Sequence, residues 1–234
     1  MKIIVMSELG VNHNGDMDKL ERMIIASKNA GVNGVKLQYY DVDSLCVSGE
    51  LYEKLKKSQL SIEQIEEAKN IAEKNGLIFL CTPMVKFELA KRLSEIGLKW
   101  CKIREKDSYN YDFIKNCLPL FERIYVSTTR RPVGDINLYY HPKIFWVYTV
   151  PKYPAEIKDI NFGYLQAFKG YSNHVPSIVA PITSCAIARL RERKEWYLEV
   201  HFTLDHNLKD IDDSVSFDIN ELTRMVEMVR ELEW

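Results

Sequence analysis

Eight short apolar segments recur along this chain and alternate with longer stretches of helical periodicity. They are "IIVMSE" (3–8), "GVKLQY" (34–39), "LIFLCT" (77–82), "KWCKIR" (99–104), "RIYVST" (123–128), "IFWVYT" (144–149), "FKGYSN" (168–173) and "WYLEVH" (196–201). Strands that alternate with helices build a parallel sheet, and eight is the number that closes a barrel. The expected fold is therefore α/β, a (β/α)8 TIM barrel. No Gly/Ser linker, low-complexity tract or long charge block interrupts the 234 residues, so residues 1–234 read as a single domain.

Periodicity predicts most of the crossover helices. Val85, Leu89, Leu93 and Ile96 fall at steps of three and four, with Gly97 as the C-cap. Ser61 and Gln64 form a capping-box pattern that opens a helix ending at Gly76, and Leu222, Met225, Val226, Val229 and Leu232 share one stripe near the end of the chain. Between the fifth and sixth strands Pro132, Gly134 and Pro142 leave little room, so that helix is expected to be shortened or missing.

In such a barrel the chemistry sits at the C-terminal strand ends. Here those ends carry Glu8, Lys36 and Gln38, Thr82, Lys102, Ser127 and Thr128, Tyr148 with Lys152 beyond it, Ser172 with His174, and His201. One polar residue at a strand end only marks where the chain meets water; eight converging ends define a shared cavity. Positive charge dominates that list, which favours a small anionic substrate bearing phosphate or carboxylate. His174 and His201, on neighbouring strands, can hold a divalent ion with positions left open, or be two separately satisfied histidines. Asp205, Asp210, Asp212 and Asp213 follow closely, although a run such as "LKDIDD" is more often a solvated loop.

Other classes have little support. A formal net charge of -1 gives no footprint for nucleic acid, and no apolar run reaches the roughly 20 residues that span a bilayer. The N-terminus lacks a signal-peptide pattern, so a cytoplasmic location is expected. Five widely spaced cysteines without a CxxC pair read as buried small hydrophobes.

The sequence resembles the N-acetylneuraminate (sialic acid) synthase family of nonulosonic acid synthases. The resemblance is carried by "SELGVNHNGDMDKLERMIIASKNAGVNGVKLQ", "CTPMVKFELAKRL", "CKI", "VST", "PKYPAEIKDINF", "GYSNH", "EVHFTLD" and "DDSVSF", in order over almost the whole chain. It implies a barrel that condenses phosphoenolpyruvate with an acylated amino-sugar aldehyde, aided by Mn2+ or Mg2+. On the matched positions His174 and His201 would be metal ligands, and Glu8 the acid/base carboxylate. Lys36, Thr82, Lys102, Ser127 and Ser172 would bind phosphoenolpyruvate; Gln38, Asp107 and Asp212 would lie toward the acceptor. His13 reads as a loop-shaping or substrate-side residue. A homodimer is also implied.

Three departures stand out. Glu105 replaces a serine that contacts phosphate in the family, and is expected to turn away and pair with an arginine or lysine. Pro151 replaces a small polar residue, while Arg104, Arg130 and Arg131 can compensate in charge. The chain is expected to lack the C-terminal antifreeze-like domain through which family members swap contacts. Two other readings remain: a metal-dependent aldolase or lyase with an altered donor, and a catalytically silent barrel that acts as a binding partner.

Overall fold

A computed structural model describes residues 1–45, 47–130 and 134–233. Strand β1 (Lys2–Gly10) pairs in parallel with both β2 (Gly34–Tyr39) and β8 (Glu195–Phe202). Between them β3 (Ile78–Pro83), β4 (Trp100–Ile103), β5 (Arg123–Thr128), β6 (Ile144–Thr149) and β7 (Gly170–Asn173) follow in chain order. The eight strands thus close the expected barrel, and the two-residue β9 (Ser216–Phe217) adds to the end of β8.

Helices α1 (Met17–Asn29), α2 (Gly49–Ser58), α3 (Ile62–Lys74), α4 (Phe87–Glu95), α5 (Tyr111–Cys117), α6 (Ile136–Tyr139), α7 (Val179–Leu190) and α8 (Ile219–Arg230) surround it. The capping box of Ser61 and Gln64 starts α3, and Asp218 with Glu221 makes the same device at α8. The crossover after β5 is shortened, as expected, to the four residues of α6. After β6 the described residues form only 3-10 turns, at Ile157–Asp159 and Tyr164–Ala167, a second lost helix that periodicity did not reveal. Pro151 and Pro154 open that segment and withhold the backbone donors a helix would need.

Val85 is a correction. It precedes α4, is exposed and has φ 66°, so the buried stripe of that helix runs through Leu89 and Leu93 without it. Cys81, Cys101, Cys117 and Cys185 are free and buried, while Cys46 lies outside the described residues. Among the described residues no helix is long and apolar enough to cross a membrane.

Alternation along the strands divides the core in two. Ile3, Val5 and Leu9 of β1 face the helices, whereas Ile4 and Met6 face inward and meet Leu80, Tyr125, Val147 and Tyr197 in an apolar plug. The Tyr125 and Tyr197 rings stack there at 4.1 Å. Space in this plug is limiting: a Cβ on Gly34 would lie 2.7 Å from the Met6 Cε and 2.4 Å from the Ile78 carbonyl oxygen.

Candidate active site

Two residues farther along each strand, the same inward face changes character. Met6 gives way to Glu8, Leu80 to Thr82, Tyr125 to Ser127 and Val147 to Thr149; on β8, Tyr197 is followed by Glu199 and then His201. Because the strand period is two, the residues that plug the barrel also fix the direction of those above them. Pairing sets their neighbours. Glu8 stands level with Lys36 on one side and His201 on the other, and Ser172 stands level with Glu199.

The result is a cavity of about 360 Å³ at the C-terminal mouth. It collects Glu8, Lys36, Gln38, Thr82, Lys102, Ser127, Ser172, His174, His201 and Asp212. Asp107 does not line it: its carboxylate accepts from Arg104 Nε at 2.7 Å and from Arg104 Nη2 at 3.5 Å, behind the wall that Arg104 forms. Lys152 is a further exception, exposed and paired with Asp159 at 2.8 Å and Glu156 at 3.4 Å.

Glu199 is the buried charge that the strand-end reading missed. It accepts from Lys102 Nζ at 2.7 Å, from Ser172 Oγ at 2.9 Å and from the Tyr197 hydroxyl, and Lys36 Nζ lies 3.7 Å away. Burial alone would raise its carboxyl; Lys102 and Lys36 overturn that and hold it well below the ordinary carboxylate range. Glu8 in turn takes Lys36 at 2.6 Å and the Gln38 amide at 2.8 Å. Burial acts against the Lys36 ammonium, but Glu199 and Glu8 raise it above its ordinary value. For Lys102 burial prevails: helped by the charge of Lys36, it lowers the ammonium although Glu199 opposes it. The floor of the cavity is thus a balanced set of two ammonium groups and two carboxylates, not a purely cationic cradle.

The two histidines meet above it, with ring centroids 5.5 Å apart. His174 Nδ1 lies 2.6 Å from the Val150 carbonyl, which fixes the proton on that nitrogen and leaves Nε2 as an acceptor toward the cavity. Burial, reinforced by His201, lowers His174 to about 3, so its ring is neutral. His201 Nδ1 is buried without a hydrogen-bond partner, the nearest Asp212 oxygen being 3.6 Å away. Burial lowers this ring, yet Asp212 and Glu8 outweigh it and raise His201. A neutral imidazole oriented by a carbonyl, an orphaned second imidazole and a nearby carboxylate fit a divalent ion with open positions. In this conformation the Tyr153 hydroxyl donates to His174 Nε2 at 2.8 Å, so an ion there would displace it. Among the described residues the only group of three or more ligating side chains with atoms within 4.8 Å of one another is His206, Asp218 and Glu221, of which His206 and Glu221 are exposed.

Glu105 is a second correction. It is among the residues that line the cavity, and among the described residues no lysine or arginine lies within ion-pair distance of it. Burial raises its carboxyl, against the pull of Lys106. Pro151 lines the same wall, and Arg104 is placed beside them; Arg130 does not line the cavity, and Arg131 lies outside the described residues.

The polar first loop is structural. Asn12, fully buried, donates to the Phe202 carbonyl at 3.0 Å and Ser216 Oγ at 2.9 Å, and accepts from the Asp212 backbone N–H at 2.9 Å. One amide therefore ties β1 to the segment that presents Asp212. Beside it Lys19 is clamped by both oxygens of Asp210, at 2.7 and 2.8 Å, and Asn14 donates to the same carboxylate at 2.7 Å. His13 is buried beneath this pair, accepts from the Gly15 N–H at 3.0 Å and is lowered by burial to about 4.

A closed parallel barrel with acids, bases and cations converging on the C-terminal mouth is the construction of a (β/α)8-barrel enzyme. The chain belongs to the NeuB family, whose profile matches residues 23–234. It is 25% identical to the N,N'-diacetyllegionaminic acid synthase of Campylobacter jejuni over 99% of this chain and 77% of that protein. Identity to the human N-acetylneuraminate-9-phosphate synthase is 24%, covering 98% of this chain and 70% of that protein. The crystal structure of an N-acetylneuraminic acid (sialic acid) synthetase from Leptospira borgpetersenii superposes with a TM-score of 0.87 at 23% identity, over 99% of this chain and 84% of that one.

Proposed function

We propose that this chain condenses phosphoenolpyruvate with an acylated amino-sugar aldehyde, releasing inorganic phosphate and forming a nonulosonic acid, with Mn2+ or Mg2+ held by His174 and His201. The observation that carries the reading is the meeting, in one cavity, of the Lys36 and Lys102 ammonium groups with Glu8, Asp212 and the two imidazoles.

In the reaction C3 of the enol bonds to the aldehyde carbon, whose oxygen takes a proton. Water then adds at C2, and the C2–O bond to phosphate breaks to leave a keto group. The bound ion would supply Lewis acidity at the acceptor carbonyl. Lys36 and Lys102 hold the donor carboxylate and phosphate, with Thr82, Ser127 and Ser172 completing its hydrogen bonds. Glu8, fixed between Lys36 and Gln38, handles the proton taken up by the aldehyde oxygen and the one lost by the attacking water. Asp212, held from behind by Asn12, takes hydroxyls of the acceptor together with Gln38.

Phosphate release from phosphoenolpyruvate, Mn2+ and N-acetylmannosamine or a related acylated sugar checks the reading. Release that requires the acceptor and is abolished in Glu8→Gln is expected. A panel of such sugars that yields no phosphate above the protein-free rate would refute it.

A further inference from the structure

The floor lysines cannot be the whole anion site. Lys36 and Lys102 each carry a carboxylate within 2.7 Å, from Glu8 and Glu199, so that the four formal charges cancel. Two further cations, Arg104 and Lys106, line the cavity higher on the wall, just past β4, with the Glu105 carboxylate between them in the chain. Arg104 follows Lys102 by two residues and faces the same cavity. Its Nε and Nη2 are committed to Asp107, whereas Nη1 meets only the Met84 sulfur, at 3.5 Å, a weak acceptor. Asp107 is braced in turn by the Val85 N–H at 3.4 Å. Val85 adopts φ 66° in a tight turn closed by Lys86 N–H to the Met84 carbonyl at 2.7 Å, a conformation that a β-branched residue takes only under constraint. Lys106 lines the cavity next to Arg104 and is exposed; the adjacent Glu105 attracts it, but among the described residues no carboxylate comes within 4.0 Å of its ammonium.

We infer that Arg104, oriented by Asp107 and assisted by Lys106, is an anchor for a phosphomonoester at the wall of this cavity. A guanidinium fixed on one side by a carboxylate presents its remaining N–H groups in a set direction, which suits a tetrahedral dianion better than a free lysine does. The phosphate can belong to the enol phosphate donor or to a phosphorylated acceptor. The assignment to a donor rests on the function proposed above; the anchor itself does not.

Titration calorimetry separates these cases, with wild type, Arg104→Gln and Arg104→Lys compared after their thermal melts establish that each is folded. The probes are phosphoenolpyruvate, pyruvate, N-acetylmannosamine and its 6-phosphate, each with MnCl2. Arg104→Gln is expected to weaken a phosphate-bearing probe by about tenfold or more, as charged hydrogen bonds of this kind imply. Pyruvate and the neutral sugar should be unaffected, and Arg104→Lys should recover part of the loss. Loss on phosphoenolpyruvate alone assigns the donor phosphate; loss on the sugar phosphate alone assigns an acceptor phosphate. Wild type that binds phosphoenolpyruvate while Arg104→Gln binds both phosphate probes within twofold of it overturns the anchor and leaves the donor reading standing. Wild type that binds only the sugar phosphate, with dependence on Arg104, overturns the donor reading and keeps the anchor. Wild type that binds neither overturns both.

Discussion

Replacing Glu199 by glutamine removes the one carboxylate that both floor ammonium groups share. In the native chain it accepts from Lys102 at 2.7 Å, Ser172 at 2.9 Å and Tyr197, with Lys36 at 3.7 Å, all of them buried. The glutamine amide can still accept from Ser172 or Tyr197, but Lys102 loses its counter-charge and Lys36 keeps only Glu8. Stripping one partner from a buried pair costs about 3–5 kcal/mol, because the remaining charge stays desolvated. For a chain of this size that corresponds to a drop of about 6–20 °C in Tm. The loss should also depend on pH in a defined sense. Since the folded carboxyl lies below its unfolded value, its stabilisation is complete above about pH 4.3 and fades as the pH falls through the folded value. Urea unfolding of wild type and Glu199→Gln at pH 7 and at pH 3 measures both effects. The gap should be full at pH 7 and smaller in acid. Phosphoenolpyruvate should protect the variant at least as well as wild type, since the cavity has gained a positive charge. A variant within about 1 kcal/mol of wild type at pH 7 would refute the charge-balanced floor.

Asn12→Ala strands the Asp212 N–H and frees Ser216, which should cost about 1–3 kcal/mol in urea unfolding and lower kcat by loosening Asp212; unchanged kcat would contradict its role. His13 stays neutral to about 4 in the folded chain but takes a proton near 6.5 when unfolded, so stability falls as the pH drops from 6.5 toward 4 and is flat above that range. His13→Gln should therefore remove about 3 kcal/mol of the acid destabilisation, read from unfolding curves at pH 7 and 4. Saturating Mn2+ should raise the Tm of wild type, with about 2.7 kcal/mol of stabilisation at a hundredfold excess over Kd, and leave His174→Ala,His201→Ala unmoved. Tyr153→Phe, which no longer covers His174 Nε2, should bind the ion more tightly by calorimetry; weaker binding would mean that the hydroxyl helps to hold it.

Most of the barrel was legible because two periods, 2 and 3.6, are written directly into its strands and helices. The floor of the cavity was less so. Reading only the last polar residue of "WYLEVH" picked out His201 and passed over Glu199, although two residues on one strand share a face and the pair could have been taken together. Asp107 and Lys152 had the right chemistry near strand ends, yet local partners turn them from the cavity: Arg104 holds one, and Asp159 and Glu156 hold the other. Glu105 lines the cavity without a cation partner, an outcome set by the turn after β4 that no periodicity records. Spacing alone places Val85 on the stripe of a helix, whereas the turn that braces Asp107 requires it in the left-handed region. The long reach from Asn12 to Asp212 lay beyond any local pattern, since barrel closure brings together residues 200 positions apart.

The central claim concerns a carbon–carbon bond, and isotopic label tests it most directly. Protein, Mn2+, N-acetylmannosamine and phosphoenolpyruvate labelled at all three carbons would be incubated and the products weighed by mass spectrometry. A keto acid that carries the three labelled carbons plus the intact sugar, formed in equal amount to phosphate and absent with Glu8→Gln, is the expected result. Label recovered as free pyruvate or as unchanged phosphoenolpyruvate, across a panel of acylated amino sugars, would contradict it.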